Sequence, residues 1–289
     1  MVQRMIRIGL LGLSLAAGVH ALPVDSKIEP YPIVGNISFA EGPAFDAEGN
    51  LYFCNYVRNG TIGRMSPDGT VKVWCETGGM VNGLKIDRTG YVIGTDIERK
   101  RVIRIPPAGR PIEVLTDRYE GRPYLNPNDL CIDRENGIYF TDPSHDVPSS
   151  VYRIAPDHSV RRVATGLRYP NGVAVSPDGR RLLVAETDTN RVLVFDRRPD
   201  GSLGEARLFH QFPSATVDGL AFDERGRLWV ARWTAGTVDV LKPDGTLEVS
   251  IDAGGTQVTN LCFRGKSIYV TVAGRHSIHR LEVGVAGAQ

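Results

Sequence analysis

Apolar residues along this chain come in short runs rich in Val, Ile, Leu, Tyr and Phe, and each run is cut by Gly, Asp, Asn or Pro. That punctuation predicts short β-strands joined by tight turns. No stretch of ten or more residues carries a helical hydrophobic period. The runs also repeat. AFDAEGNLYFCN, LKIDRTGYVIGTD, LCIDRENGIYFTD, VAVSPDGRRLLVAET, LAFDERGRLWVAR and LCFRGKSIYVTVA are copies of one pattern: an apolar inner segment, an acidic or turn-forming hinge, and a second apolar segment. Aligned on Asp46, Asp87, Asp133, Ser176, Asp223 and Arg264, they are spaced by 41, 46, 43, 47 and 41 residues. Strand repeats of this period predict propeller blades, so the expected fold is all-β, a six-bladed β-propeller of four-stranded blades. In the first copy the strands fall at about 43–46, 51–54, 61–65 and 71–75. The sixth copy ends one strand short, while the extended segment 28–34 stands unassigned before the first. That segment is expected to complete the last blade as its outer strand, closing the ring and removing the exposed sheet edges.

The N-terminus is different in kind. Arg4 and Arg7 precede an uncharged apolar stretch from Ile8 to Val19, and Val19-His20-Ala21 offers small residues at the steps a signal peptidase reads. Residues 1–21 are therefore expected to be an export signal, 22–289 one propeller domain, and the protein periplasmic or secreted. The competing reading is a membrane anchor, for which the apolar core is short, so no stable membrane insertion is expected after cleavage. With 34 Lys and Arg against 33 Asp and Glu, the net charge of +1 gives no electrostatic case for nucleic acid. Cys131 and Cys262 occupy the same inner step of blades 3 and 6, and Cys54 and Cys75 lie on strands that a third separates. The four thiols are expected to be buried and free, used as small apolar residues, with disulfide pairing as the alternative. CxxC, HExxH, GxSxG and GxGxxG motifs do not occur, which leaves thiol redox, zincin, serine-hydrolase and dinucleotide chemistry without their usual support.

Counting five residues back from each anchor gives Glu41, Asn82, Asn128, Asn171, Asp218 and Thr259, where each innermost strand begins. In a propeller these positions converge on one mouth of the central channel. Asn-Gly and Asp-Gly are also ordinary turn sequences, and that reading suits Asn82 best. It does not explain Glu41. Two carboxylates, Glu41 and Asp218, converging among carboxamides repel one another unless a cation sits between them. Oxygen donors of this kind favour one divalent cation, with Ca²⁺ first and Mg²⁺, Mn²⁺ or Zn²⁺ as alternatives. The ends of the second strands, Asn55, Asp96, Asp142, Glu186 and Arg232, face the same mouth farther out.

The segments AEGPAFD, TDRYEGRPYLNPNDL, GIYFTDP, YPNGVAVSPDGRRLLVAET, VDGLAFDERGRLWVA and VTNLCF resemble the gluconolactonase, regucalcin (senescence marker protein 30) and luciferin-regenerating enzyme family, with the bacterial gluconolactonases nearest. The resemblance implies a cation held by Glu41, Asn171 and Asp218, with Asp218 also the general base. It implies that Asn128 lies beside the metal or binds substrate, with Asp129 in the same pocket. Asn126 stands where the bacterial branch often has Ser before the PND proline, and it cannot supply the charge of the sugar-gripping Arg that regucalcin-type relatives place near this step; Val217 and the Asp96-Ile97 pair are further departures. Arg122 and Arg232 are the candidates to replace the missing guanidinium, against simple solvation.

The expected function is hydrolysis of a lactone or related cyclic ester by cation-activated water, with a small-molecule substrate and a monomer as the working state, a dimer being the alternative. Two other readings are a noncatalytic ligand-binding propeller of the NHL-like kind with a structural cation, and a phosphotriesterase-like hydrolase. His145 could shuttle protons or be solvated. Asp142 could support the inner ring or form a turn, and Tyr124 and Trp233 could stack on substrate or cover the channel. The connections 116–127 and 212–217 flank the mouth as lid candidates.

Overall fold

The computed structural model describes residues 28–288, and the expected export segment 1–21 lies outside them. Six antiparallel sheets of four strands each follow one another around a ring. Blade 1 runs Ile37–Phe45, Leu51–Tyr56, Thr61–Met65 and Val71–Glu76, and the next four blades repeat this meander outward from inner strands at Val81–Ile86, Leu130–Ile132, Pro170–Val175 and Val217–Phe222. Blade 6 takes Val258–Arg264, Ser267–Val272 and Ser277–Glu282 from the C-terminal part, and Tyr31–Val34 pairs antiparallel with Ser277–Glu282 as its fourth strand. The N-terminal segment thus closes the ring as the sequence predicts. The only helical pieces among the described residues are two single turns, Thr187–Thr189 and Ala273–Arg275.

Each blade is covered on its two faces by its two neighbours, which explains why strands such as Leu228–Arg232 are buried at every position rather than at alternate ones. The apolar core is accordingly divided into six clusters, one per blade interface. The interface that closes the ring is built by Val34, Ile37, Phe53, Tyr269 and Ile278. The outer strands carry the exposed positions, as in Leu247–Asp252. All four cysteines are free, with Cys54, Cys75 and Cys131 buried.

Candidate functional site: the inner ring of the channel

The inner strands are not regular at the step where the ring residues stand. The register with the second strand shifts between Glu41 and Ala44, Val81 and Leu84, Pro170 and Val173, Val217 and Leu220, and Val258 and Asn260. A bulge places an extra residue on one strand and turns its side chain. Two consecutive residues of a blade can then face the channel. The second of the pair is glycine in four blades, Gly42, Gly83, Gly172 and Gly219, because the strands crowd there. A Cβ on Gly172 would stand 2.2 Å from the Asp218 carbonyl oxygen, and one on Gly42 would stand 2.6 Å from that of Asn82. Blades 3 and 6, opposite each other, carry Asp129 and Asn260 at this step instead.

Hydroxyl and thiol groups stitch the ring from blade to blade. Cys54 Sγ donates to the Asn82 carbonyl at 3.1 Å and Thr141 Oγ1 to that of Asn171 at 2.8 Å. Thr95 donates likewise to the Asn128 carbonyl. Thr259 makes the closing stitch to the Ala40 carbonyl at 2.7 Å, so its side chain is committed to packing and Asn260 represents blade 6 in the channel.

Glu41, Asn82, Asn128, Asn171 and Asp218 are all buried at the ring. Asn82 belongs to it as more than a turn former, since its Nδ2 lies 3.5 Å from Glu41 Oε1. The Asn171 amide favours the ionised form of Asp218, and the Asn260 amide favours those of Glu41 and Asp129. Asp129 is only 1% exposed and sits one step deeper, where its charge acts on Glu41 and Asp218. Burial, and then the charge of Asp129, pushes the Glu41 carboxyl up to about 8. Burial raises Asp218 well above the usual carboxylate range, with Glu41 and Asp129 adding to it. Asp129 is raised by burial too, and the largest opposing influence on it is Lys85.

Four buried oxygens here have no hydrogen-bond partner: Asn128 Oδ1, both carboxylate oxygens of Asp129, and Asp218 Oδ1. Buried acceptors left unpaired are costly. Their donor chemistry, all oxygen and largely anionic, fits a hard divalent cation. Among the described residues no three acidic, thiol or imidazole side chains are placed to hold an ion by themselves, so a cation here would need carboxamide oxygens as well.

The outer residues have a different task. Each grips the backbone of the connection leading into its own inner strand. Asn55 Nδ2 donates to the Phe39 carbonyl at 3.0 Å, Asp96 accepts from Met80 N at 3.0 Å, and Glu186 accepts from Arg168 N at 2.9 Å. Asp142 accepts from Leu125 N at 3.0 Å and Asn126 N at 2.6 Å, which fixes the half-buried Asn126 and the connection 116–127. Arg232 donates to the Ser214 and Ala215 carbonyls and pairs with buried Asp239, so it is not free to grip a substrate. Arg122 is exposed in a small hairpin beside the mouth.

Aromatic side chains line the mouth. Phe39 of blade 1 and Trp233 of blade 5 approach to 6.0 Å between ring centroids, spanning the sector in front of blade 6. Burial raises the Tyr169 hydroxyl, with the charges of Asp218, Asp188 and Glu41 adding to it, and its ring stacks on His145 at 4.0 Å. His145 is largely exposed and holds Asp188 through Nδ1 at 2.9 Å. Tyr124 is no substrate platform: it is 2% exposed and bonds Thr116 Oγ1 at 2.8 Å at the root of its loop. A cavity of about 400 Å³ opens at the other mouth, walled by residues such as Ala44, Cys131, Val175, Ala221 and Phe263, with Lys85 at its wall. It contains none of the ring residues, so the unpaired oxygens locate the chemistry better than cavity volume does.

A model of the SMP-30/gluconolactonase/LRE-like region matches residues 39–274. The gluconolactonase of Zymomonas mobilis subsp. mobilis is 24% identical over 302 aligned positions, covering 92% of this chain and 84% of its own length. Diisopropyl-fluorophosphatase of Loligo vulgaris is 28% identical over 291 positions, covering 88% and 93%. Among solved structures, a gluconolactonase from Xanthomonas campestris matches with a TM-score of 0.81 at 27% identity, covering 91% of this chain and 96% of that one. The match spans most of the chain and contains every channel residue from Glu41 to Asn260, and the protein therefore belongs to the SMP-30/gluconolactonase/LRE-like family.

Proposed function

We propose that this protein is a divalent-cation-dependent hydrolase that opens a lactone or a closely related cyclic ester. The observation that carries the reading is the convergence of Glu41 and Asp218 on one mouth among buried, unpaired oxygens. Similarity to proteins named as gluconolactonases supports the substrate class. Glu41, Asn171 and Asp218 would hold the cation, Ca²⁺ by preference. Such an ion supplies Lewis acidity, polarising a carbonyl oxygen and acidifying water. Asp218 is suited to accept the proton of the attacking water, because burial and its acidic neighbours raise its proton affinity. That oxygen adds to the carbonyl carbon, the ring C–O bond breaks, and the proton ends on the departing alcohol oxygen. Asn128 and Asn126 stand on the blade 3 side for substrate contact. Tyr169 and the Phe39–Trp233 pair offer flat walls for a ring.

The segment 1–21 supports export, so the proposed site of action is the periplasm or the exterior. A second reading, phosphotriester hydrolysis at the same centre, is favoured by the aromatic pair at the mouth and by similarity to diisopropyl-fluorophosphatase. Chelator-treated protein assayed on aldonolactones, homoserine lactones, aryl esters and a phosphotriester, with Ca²⁺, Mg²⁺, Mn²⁺ or Zn²⁺ restored, separates the readings. Fastest turnover of a lactone is expected. Preference for the phosphotriester would favour the second reading, and no turnover of any class would leave a noncatalytic binding propeller.

A further inference from the structure

Among the described residues, Lys85 is the cation whose charge opposes the proton affinity of the buried channel acids Glu41 and Asp129. It lies on the inner strand Val81–Ile86, and its charge reaches Glu41 and Asp129 above it and the thiols Cys131 and Cys262 beside it. Its flank also forms part of the wall of the cavity at the opposite mouth. The thiols contribute no countercharge, because burial raises Cys54, Cys131 and Cys262 and keeps them neutral. The corresponding steps of blades 1, 3, 4, 5 and 6 are Ala44, Cys131, Ala174, Ala221 and Cys262, so no other blade brings a charge to this level.

The charges can therefore be counted. Glu41, Asp129 and Asp218 carry three negative charges when ionised, Lys85 carries one positive charge, and a balance of two remains. We propose that Lys85 is a resident cation of the channel, a positioning residue that sets the charge of the ion the ring accepts, so that a single divalent ion neutralises the cluster. This rests on the cation site of the proposed function and adds to it a basis for discriminating ions by charge. A neutral residue at this position leaves a balance of three, which favours a trivalent ion over a divalent one.

The test is binding rather than turnover. The full chain and its K85M, K85Q and K85R variants are titrated with Ca²⁺ and with Tb³⁺, following heat and Tb³⁺ luminescence. One Ca²⁺ per chain is expected for the unaltered protein and for K85R. In K85M and K85Q the ratio of Tb³⁺ to Ca²⁺ affinity is expected to rise by about tenfold or more, the scale of one added charge within the protein. A lysine that merely fills space would weaken both ions and leave the ratio where it was. An unchanged ratio in both neutral variants, with Ca²⁺ still bound by the unaltered protein, overturns this inference alone. Absence of Ca²⁺ binding by the unaltered protein overturns the cation site and this inference together. Should both neutral variants fail to fold while K85R folds and binds one Ca²⁺, the position requires charge, in support of the proposal; failure of K85R as well makes the requirement steric and sinks it.

Discussion

Glu41 and Asp218 are individually poor choices for a buried site, and their value lies in being buried together. Desolvation penalises both ionised forms, and each acid makes the other's charge harder to hold. The consequence is a linkage between protons and cations. The Glu41 carboxyl is raised from 4.5 to about 8, so the folded protein binds more protons than the unfolded chain between those values. Its contribution to stability is therefore greatest below the lower value and lost as pH rises through the upper one. A bound cation removes this penalty by replacing the proton. The Ca²⁺-induced rise in Tm over chelator-treated protein is expected to grow as pH increases from about 5 to about 8 and then level off. Thermal melts across that range check it, and a gain independent of pH would contradict the assignment. Glu41→Gln should weaken Ca²⁺ binding in calorimetry while leaving the melting transition cooperative.

At the scale of the strand, the bulge at the ring step in five of the blades lets two consecutive residues approach the channel where a regular strand offers one. Glycine occupies the second in four blades because backbone from the neighbouring blade lies against it. Gly172→Ala would drive a methyl group into the Asp218 carbonyl and is expected to cost about 1–3 kcal/mol, the usual range for overpacking. Denaturant unfolding measures this. Asp142→Ala removes two hydrogen bonds from the connection 116–127, and bonds to a charged acceptor are each worth about 1.5–3 kcal/mol. Faster hydrogen exchange at Leu125 and Asn126 is the expected signature. The strands were legible in the sequence because turn residues bound them, but the bulges were not. A period of two assigns neighbouring residues to opposite faces, so Asn260 was hidden behind Thr259. Asp142 and Arg232 were visible as polar residues at the mouth. Their partners are backbone groups of loops distant in sequence, which no spacing rule reveals.

For the whole molecule, six near-equal repeats made the propeller evident, and a sixth copy lacking one strand pointed to closure by the N-terminal segment. The repeat also explains how the site departs from symmetry. Every blade supplies a side chain to the ring, and the differences among Glu41, Asn82, Asn128, Asn171, Asp218 and Asn260 make a directional donor set. Closure is a structural requirement of that arrangement, because Tyr31–Val34 covers the edge of Ser277–Glu282 and brings Val34 into the interface between blades 6 and 1. A chain lacking residues up to 34 is expected to melt at lower temperature and to associate through the uncovered edge, as seen by calorimetry and light scattering. The central claim, that this ring opens lactones only with a divalent ion in place, is tested most directly by following lactone hydrolysis while Ca²⁺ is restored to chelator-treated protein. The rate is expected to rise from background and saturate at one ion per chain, and to stay near background in Asp218→Asn. Full activity before any ion is added, or an unchanged rate in Asp218→Asn, would contradict it.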